Sequence, residues 1–125
     1  MPAIGAVAAQ SSPYRLDGNG VTVAVIDSGV QTHDDLIDPF LLLLNANRVI
    51  NGPNFSTDTT VSDRFGHGTH VAGLIGGNGR DSRSFYRGVA PEVRLLSVKV
   101  SNARGEGKAP SAPRFAPSTG ASRMR

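Results

Sequence analysis

The stretch VTVAVIDSGV, residues 21–30, decides the fold class of this chain. Its first six residues are apolar or β-branched and follow the turn-forming segment DGNG at 17–20, which is typical of a β-strand. Because the run lacks polar alternation, it predicts a strand buried on both faces, as in a parallel sheet covered by helices. The strand ends on a carboxylate, Asp27, and Ser28-Gly29 stop it.

A helix and a second strand follow further along the chain. The segment HGTHVAGLIGG at 67–77 has small residues and an apolar set at positions 71, 74 and 75, which predicts a helix packed on a sheet and ended by its last glycines. The segment VRLLSVKV at 93–100 predicts the second strand, and a turn over 102–107 closes it. The order strand, long connection, helix, strand predicts the start of a parallel α/β sheet.

The long connection, residues 32–63, is rich in Asn, Asp, Pro and Thr and contains one apolar cluster, Phe40–Leu44. This composition predicts mostly connecting loops with one short apolar element. Two strands and one helix would leave an open sheet edge and an uncovered apolar face. We therefore expect the chain to be prone to aggregation.

The chain has 125 residues, 38% of them hydrophobic and 18% charged, which is typical of one soluble domain. Its net charge of +3 would favour a nucleic-acid or membrane partner if the basic residues were spread over the fold. Residues 108–125 hold four cations, no acid and three of the eight prolines, so residues 1–107 carry a net charge of −1. We expect residues 1–107 to form the domain and residues 108–125 to be a disordered or frameshifted tail.

Several classes of protein are disfavoured by what the sequence lacks. There is no cysteine, so a disulfide framework and a thiolate metal site are ruled out. No stretch is long and apolar enough for a membrane span. The N-terminal segment MPAIGAVAAQSS has neither a charged n-region nor a full apolar h-region, and we interpret it as ordinary mature sequence rather than a signal peptide.

Two residues could carry chemistry at the end of the first strand. In parallel sheets the reactive crevice lies beyond the carboxyl ends of the strands, which is where the sequence places Asp27. An aspartate there could merely form a turn or cap a helix. His67, however, is flanked by two glycines that leave its ring uncrowded. If Asp27 accepts a hydrogen bond from one ring nitrogen, the other nitrogen can take a proton from a nucleophile, as in acyl transfer.

Four segments together resemble the N-terminal half of the catalytic domain of subtilisin-like serine peptidases. They are VTVAVIDSGV (21–30), HDDL (33–36), GHGTHVAG (66–73) and GVAPEVRLLSVKV (88–100), in the family's order and at compatible spacing. The resemblance implies an incomplete three-layer α/β/α domain, with Asp27 as the triad aspartate, His67 as the triad histidine and His70 as a packing residue. It also implies a secreted, monomeric serine-type endopeptidase that acts on polypeptides, needs no organic cofactor and has no nucleic-acid or membrane partner.

The sequence also departs from the family's pattern. The family's serine, in a GTSMA-type motif, lies well over a hundred residues beyond the histidine, with an oxyanion asparagine between them, and these 125 residues contain neither. Ser122 in Gly120-Ala121-Ser122 follows His67 by only 55 residues, and we do not expect it to be the nucleophile. We expect a reading frame truncated or shifted near residue 107, and a chain that is inactive alone. Asp35 matches a position that binds structural calcium in some members, without other identifiable ligands.

Three other functions remain open at this point. A retroviral-type aspartic peptidase would use Asp27 within the DSG motif as a dimer, with Leu74-Ile75-Gly76 as its later apolar pair before glycine. A metal hydrolase could use His67 and His70, with His33 or an acid as third ligand. The basic segment 108–125 could act as a nucleic-acid binding arm. The motif GHGTHVAG and the strand-helix-strand order favour the serine peptidase over all three.

Overall fold

The computed structural model describes residues 4–11, 13–38 and 47–107. The predicted apolar element Phe40–Leu44 and the segment 108–125, including Ser122, lie outside these described residues. The two-part division at residue 107 therefore stays a prediction.

Three strands form one sheet in the described ranges. They are β1 (Thr22–Asp27), β2 (Val49–Asn54) and β3 (Arg94–Lys99), in the order β1-β3-β2. Both pairings are parallel, so all three strands end at the same edge of the sheet. In the register of β1 and β3, Asp27 lies opposite Lys99. The predicted parallel α/β class is confirmed.

Two α-helices and one short 3-10 helix connect to this sheet. Helix α1 spans Ala6–Gln10, the 3-10 helix spans Asp34–Leu36, and helix α2 spans His67–Gly76. Helix α2 begins after Gly66, whose φ of 92° is a left-handed conformation that favours glycine, and ends before Gly77. The described helices are too short and polar to cross a membrane.

The core lies between α2 and one face of the sheet. Side chains at alternate strand positions point towards α2, because successive side chains in a strand alternate between the two faces. The predicted helix and the predicted second strand therefore pack together as expected. The buried apolar cluster consists of Val25, Val30, Leu36, Val49, Ala72, Val93 and Leu95.

The prediction that β1 is buried on both faces is wrong for the described residues. Val25 faces α2 and is buried, whereas the next residue, Ile26, points to the other face and is 65% exposed. Ile50 of β2, which is 46% exposed, lies on that same uncovered face. The described residues supply no helix to cover it, so only one of the two helical layers of the expected three-layer architecture is present in them.

Strand β2 was missed, because residues 32–63 were expected to be mostly loops. Its sequence, VINGPN, has a Gly-Pro pair that normally interrupts a strand. Proline is tolerated here because β2 is an edge strand and its register shifts between Asn51 and Asn54. Gly52 lies against β3 so closely that a Cβ atom would come within 2.7 Å of the Ser97 carbonyl oxygen. Residues that resemble a loop therefore form an irregular edge strand.

Candidate active site

Asp27 is the last residue of β1 and lies at the edge where the strands end. Its backbone is fixed by β3, since the Val100 N–H donates to the Asp27 carbonyl oxygen at 2.7 Å. Its carboxylate accepts a hydrogen bond from the Ser28 N–H at 2.6 Å on Oδ1. The neighbouring strand β3 therefore fixes the backbone of this residue, and the following residue, Ser28, fixes its carboxylate.

His67 is the first residue of α2, and its ring meets the Asp27 carboxylate. The Nδ1 atom lies 2.9 Å from Oδ1 and 2.8 Å from Oδ2, although the two residues are 40 positions apart in sequence. The imidazole side chain is 59% exposed and the carboxylate 19% exposed. Nε2 has no hydrogen-bond partner among the residues that the structure describes, so it is available to accept a proton. The pair proposed from sequence is therefore brought together in the arrangement that acyl transfer requires.

The electrostatics of this pair favour an ionised aspartate. Partial burial alone would raise the pKa of Asp27, because it disfavours the charged form. Hydrogen bonds from His67 and from the Ser28 N–H outweigh this effect and leave the pKa of Asp27 below its ordinary value. A carboxylate in this state accepts a hydrogen bond from the Nδ1–H group, which selects the ring tautomer with a free lone pair on Nε2.

The close approach of α2 to β1 depends on Gly68. A Cβ atom at this position would collide with the Gly29 carbonyl oxygen and would lie 3.1 Å from the Cβ of Asp27. The Gly68 N–H also donates to Ser28 Oγ at 2.9 Å. The sequence suggested that the glycines flanking His67 keep its ring uncrowded. The structure gives Gly68 a different task, which is to let the start of the helix contact the end of β1.

Asp63 is a site residue that the sequence argument did not identify. Its Oδ1 accepts the Ser28 hydroxyl and the Gly66 N–H, both at 2.8 Å. Its Oδ2 accepts the N–H of Thr69 at 2.8 Å and the hydroxyl of Thr69 at 2.5 Å. Burial alone would raise the pKa of Asp63, but these hydrogen bonds lower it. An aspartate just before a predicted helix start is the signal that could have identified it.

His70 does not fill the packing role expected from the resemblance. It lies one turn along α2, is exposed, and lines a cavity of about 580 Å³ with Leu74 and Tyr86. Neither Asp27 nor His67 lines this cavity. Within the described chain, His70 therefore contributes to the wall of this cavity and not to the buried core.

The metal hydrolase hypothesis is not favoured by the side-chain positions. In the described ranges, the group of side chains that could hold a metal is His33, Asp35 and Asp81, and it includes neither His67 nor His70. Asp35 Oδ1 already accepts the Asp81 N–H at 2.9 Å. Calcium takes roughly six to eight oxygen ligands. Two carboxylates and an imidazole do not match that requirement, so we derive no metal-dependent step here.

The aspartic peptidase hypothesis is also not favoured. In that mechanism Asp27 would share a proton with a second carboxylate. The carboxylate instead accepts a hydrogen bond from the His67 ring, and the sheet is parallel with a helix packed on it. Retroviral-type enzymes are all-β dimers. The nucleic-acid hypothesis rests on residues 108–125, which lie outside the described residues.

A parallel α/β domain that presents an Asp–His pair at the carboxyl ends of its strands has the arrangement of a hydrolase with an activated nucleophile. The family model of the subtilase family matches residues 18–112. This chain belongs to the subtilase family, as its four motifs indicated.

Relatives and solved structures agree with this assignment. The chain is 42% identical over 93 residues to serine protease AprX of Bacillus subtilis, covering 74% of this chain and 19% of that protein. It is 38% identical over 97 residues to subtilisin Savinase of Lederbergia lenta, covering 77% and 31%. A cold adapted subtilisin-like serine proteinase shares its fold with a TM-score of 0.57 at 38% identity, covering 74% of this chain and 29% of that one. The MycP3 protease of a type VII secretion system matches with a TM-score of 0.58 at 36% identity, covering 90% and 26%.

The chain thus spans between about a fifth and a third of the length of these curated relatives. Residues 18–112, which match the family model, contain Asp27, His67, the three strands of the described sheet and helix α2.

Proposed function

We propose that this chain carries the aspartate and the histidine of a subtilisin-like serine endopeptidase that hydrolyses peptide bonds in polypeptide substrates. The observation that carries the proposal is the contact of His67 Nδ1 with both carboxylate oxygens of Asp27, at 2.8 and 2.9 Å. Membership of the subtilase family supports it independently.

In this mechanism Asp27 orients the imidazole and stabilises its protonated form. Nε2 of His67 removes the proton of a serine hydroxyl while the serine oxygen attacks the peptide carbonyl carbon. The protonated ring then donates that proton to the leaving amine, and an acyl-enzyme remains. Water then attacks the acyl-enzyme with His67 again as the base, which releases the acid product and restores the serine hydroxyl. The chemistry needs no organic cofactor.

The nucleophile is assigned to a serine outside these 125 residues, because the sequence contains no GTSMA-type segment. The same holds for the oxyanion asparagine. Without a nucleophile the base has nothing to activate, and without donors the tetrahedral intermediate is unsupported. We therefore propose that the 125-residue chain alone does not hydrolyse peptides. In the complete enzyme we propose a monomer with a polypeptide substrate and no nucleic-acid or membrane partner.

The first experiment uses the 125-residue chain alone with a generic peptide substrate. We expect no turnover. Turnover that a serine-directed covalent inhibitor abolishes would contradict the proposal that the nucleophile is missing. Turnover blocked by a pepstatin-type inhibitor would favour the aspartic peptidase instead.

The second experiment supplies the missing groups. Residues 18–112 of this chain replace the matching segment of the Bacillus subtilis relative AprX, and the chimera is assayed on the same substrate. We expect hydrolysis that the serine-directed inhibitor abolishes. D27N should lower kcat by about 10⁴-fold, and H67A should lower it by at least as much. D34N is the matched control, because Asp34 is an exposed residue of the 3-10 helix within the exchanged segment, and it should leave kcat unchanged. A folded chimera whose activity survives H67A would refute the assignment of the base.

A further inference from the structure

A fully buried lysine lies beneath the candidate site. Lys99 is the last residue of β3, and its side chain is 0% exposed. Lysine is almost never fully buried unless its charge is paired, because removing an ammonium group from water is costly. The position therefore needs a specific reason for a cation.

The ammonium group has partners from two neighbouring segments. It donates to the carbonyl oxygen of Ser28 and, at 3.1 Å, to that of Ser62. It also forms an ion pair with Asp58 Oδ2 at 3.2 Å. Two hydrogen bonds and one ion pair thus neutralise the buried charge, which makes its burial tolerable. They also link the end of β1 to the segment 58–62 that leads into α2.

Ser28 is the residue through which this link reaches the site. Its N–H donates to Asp27 Oδ1 at 2.6 Å, and its hydroxyl donates to Asp63 at 2.8 Å. The same hydroxyl accepts the Gly68 N–H at 2.9 Å. Lys99 thus holds the carbonyl of the residue whose other polar groups fix the Asp27 carboxylate and the start of α2.

We propose that Lys99 is a positioning residue for the Asp27–His67 pair. Its buried ammonium group holds the Ser28 carbonyl and the segment 58–62 in place, so that the Ser28 N–H and the first turn of α2 meet the Asp27 carboxylate. It acts through Ser28 and contacts neither His67 nor the substrate. The inference rests on the proposed function, since positioning matters only if the pair is catalytic.

The test measures the pair in the full 125-residue chain by NMR, without turnover. A ring N–H that donates to a carboxylate gives a proton resonance at unusually low field, so the His67 Nδ1–H signal reports the contact. The carboxyl carbon of Asp27 reports its titration. K99M removes the cation and keeps a side chain of similar length. R94M, an exposed position at the other end of β3, is the matched control.

We expect K99M to lose or broaden the low-field signal and to raise the pKa of Asp27 towards its ordinary value, while R94M behaves like the parent chain. The chain has no cysteine, so K99C can be alkylated with bromoethylamine to restore an ammonium group at the same reach. This treatment should restore the signal. A folded K99M with an unchanged signal and an unchanged Asp27 titration overturns the proposal and leaves Lys99 a purely structural role.

If K99M does not fold, D58N takes its place. Asp58 is the anionic partner of the ammonium group at 3.2 Å, so its loss should let the group shift and should partly weaken the low-field signal. A folded D58N with an unchanged signal and Asp27 titration overturns the proposal. Because no readout depends on hydrolysis, an inactive chimera would count against the proposed function and not against the positioning role of Lys99.

Discussion

The Ser28 hydroxyl donates a hydrogen bond of 2.8 Å to the Asp63 carboxylate, and this bond joins the end of β1 to the segment that starts α2. Asp27 and His67 lie on these two elements, one residue from Ser28 and four residues from Asp63. The geometry of the candidate pair is thus set by neighbours that do not themselves take part in proton transfer.

Replacing Asp63 should loosen the start of α2. In D63N the amide has only one acceptor oxygen, and its NH₂ group would face the N–H and hydroxyl of Thr69. The negative charge near the helix N-terminus is also lost. We expect the free energy of unfolding to fall by about 1–3 kcal/mol in urea denaturation. D34N, at an exposed residue of the 3-10 helix, should change it by less than about 0.5 kcal/mol. Equal stabilities of D63N and D34N would contradict this role.

Gly68 should tolerate no side chain. In G68A the new methyl group would collide with the Gly29 carbonyl oxygen, so α2 must move away from β1. We expect the free energy of unfolding to fall by about 1–3 kcal/mol. The control is G73A on the same helix, where a Cβ meets nothing within 4 Å. This variant should gain about 0.5–1 kcal/mol, because alanine favours a helix more than glycine does. Thermal unfolding of both variants checks the prediction, and similar shifts in the same direction would refute it.

Stability should decrease in acid. The pKa values of Asp27 and Asp63 are lowered in the folded chain, so both carboxylates bind protons more weakly there than in the unfolded chain. Their contribution is complete above the unfolded pKa, about 3.9, and is lost as the pH falls through the lower folded values. Urea midpoints measured from pH 6 to pH 2 should decline below about pH 4. D63N should show a shallower decline, and a slope identical to that of the parent chain would be evidence against the hydrogen bonds of Asp63.

The uncovered face of the sheet should drive association. Ile26 and Ile50 are 65% and 46% exposed on that face. Because β-branched threonine suits a strand without adding apolar surface, I26T and I50T should reduce light scattering on refolding at little cost in stability. V25T, at a buried neighbouring position, should instead destabilise the fold. Unchanged scattering in I26T and I50T would show that the face does not cause association.

Local sequence was sufficient for β1, α2 and β3, whereas it did not predict α1. The run at 21–27, the small-residue helix after Gly66 and the run at 93–100 were predicted nearly to their observed ends, because each has one consistent pattern and a clear stop signal. Strand β2 was missed because its Gly-Pro pair is acceptable only at a shifted edge position, which depends on the neighbouring strand. The burial of β1 was overestimated because its composition does not show which elements cover each face of the sheet.

The residues of the candidate site were also only partly predictable from the sequence. Asp27 and His67 could be chosen from sequence, since a carboxylate at a strand end and a histidine between glycines are local features. The predicted helix start could have pointed to Asp63, but its contact with Ser28 across 35 positions of sequence could not be predicted locally. The same holds for Lys99, which contacts Ser28 across 71 positions.

The sequence by itself determined the fold class, the family and the identity of the Asp27–His67 pair, since these depend on patterns and motifs read along the chain. Tertiary structure alone decided how the pair is held. A buried cation, a carboxylate at the start of a helix and a glycine that permits close contact act only when distant segments meet. Hydrogen bonds of 2.8 to 3.1 Å between such segments leave no trace in local sequence.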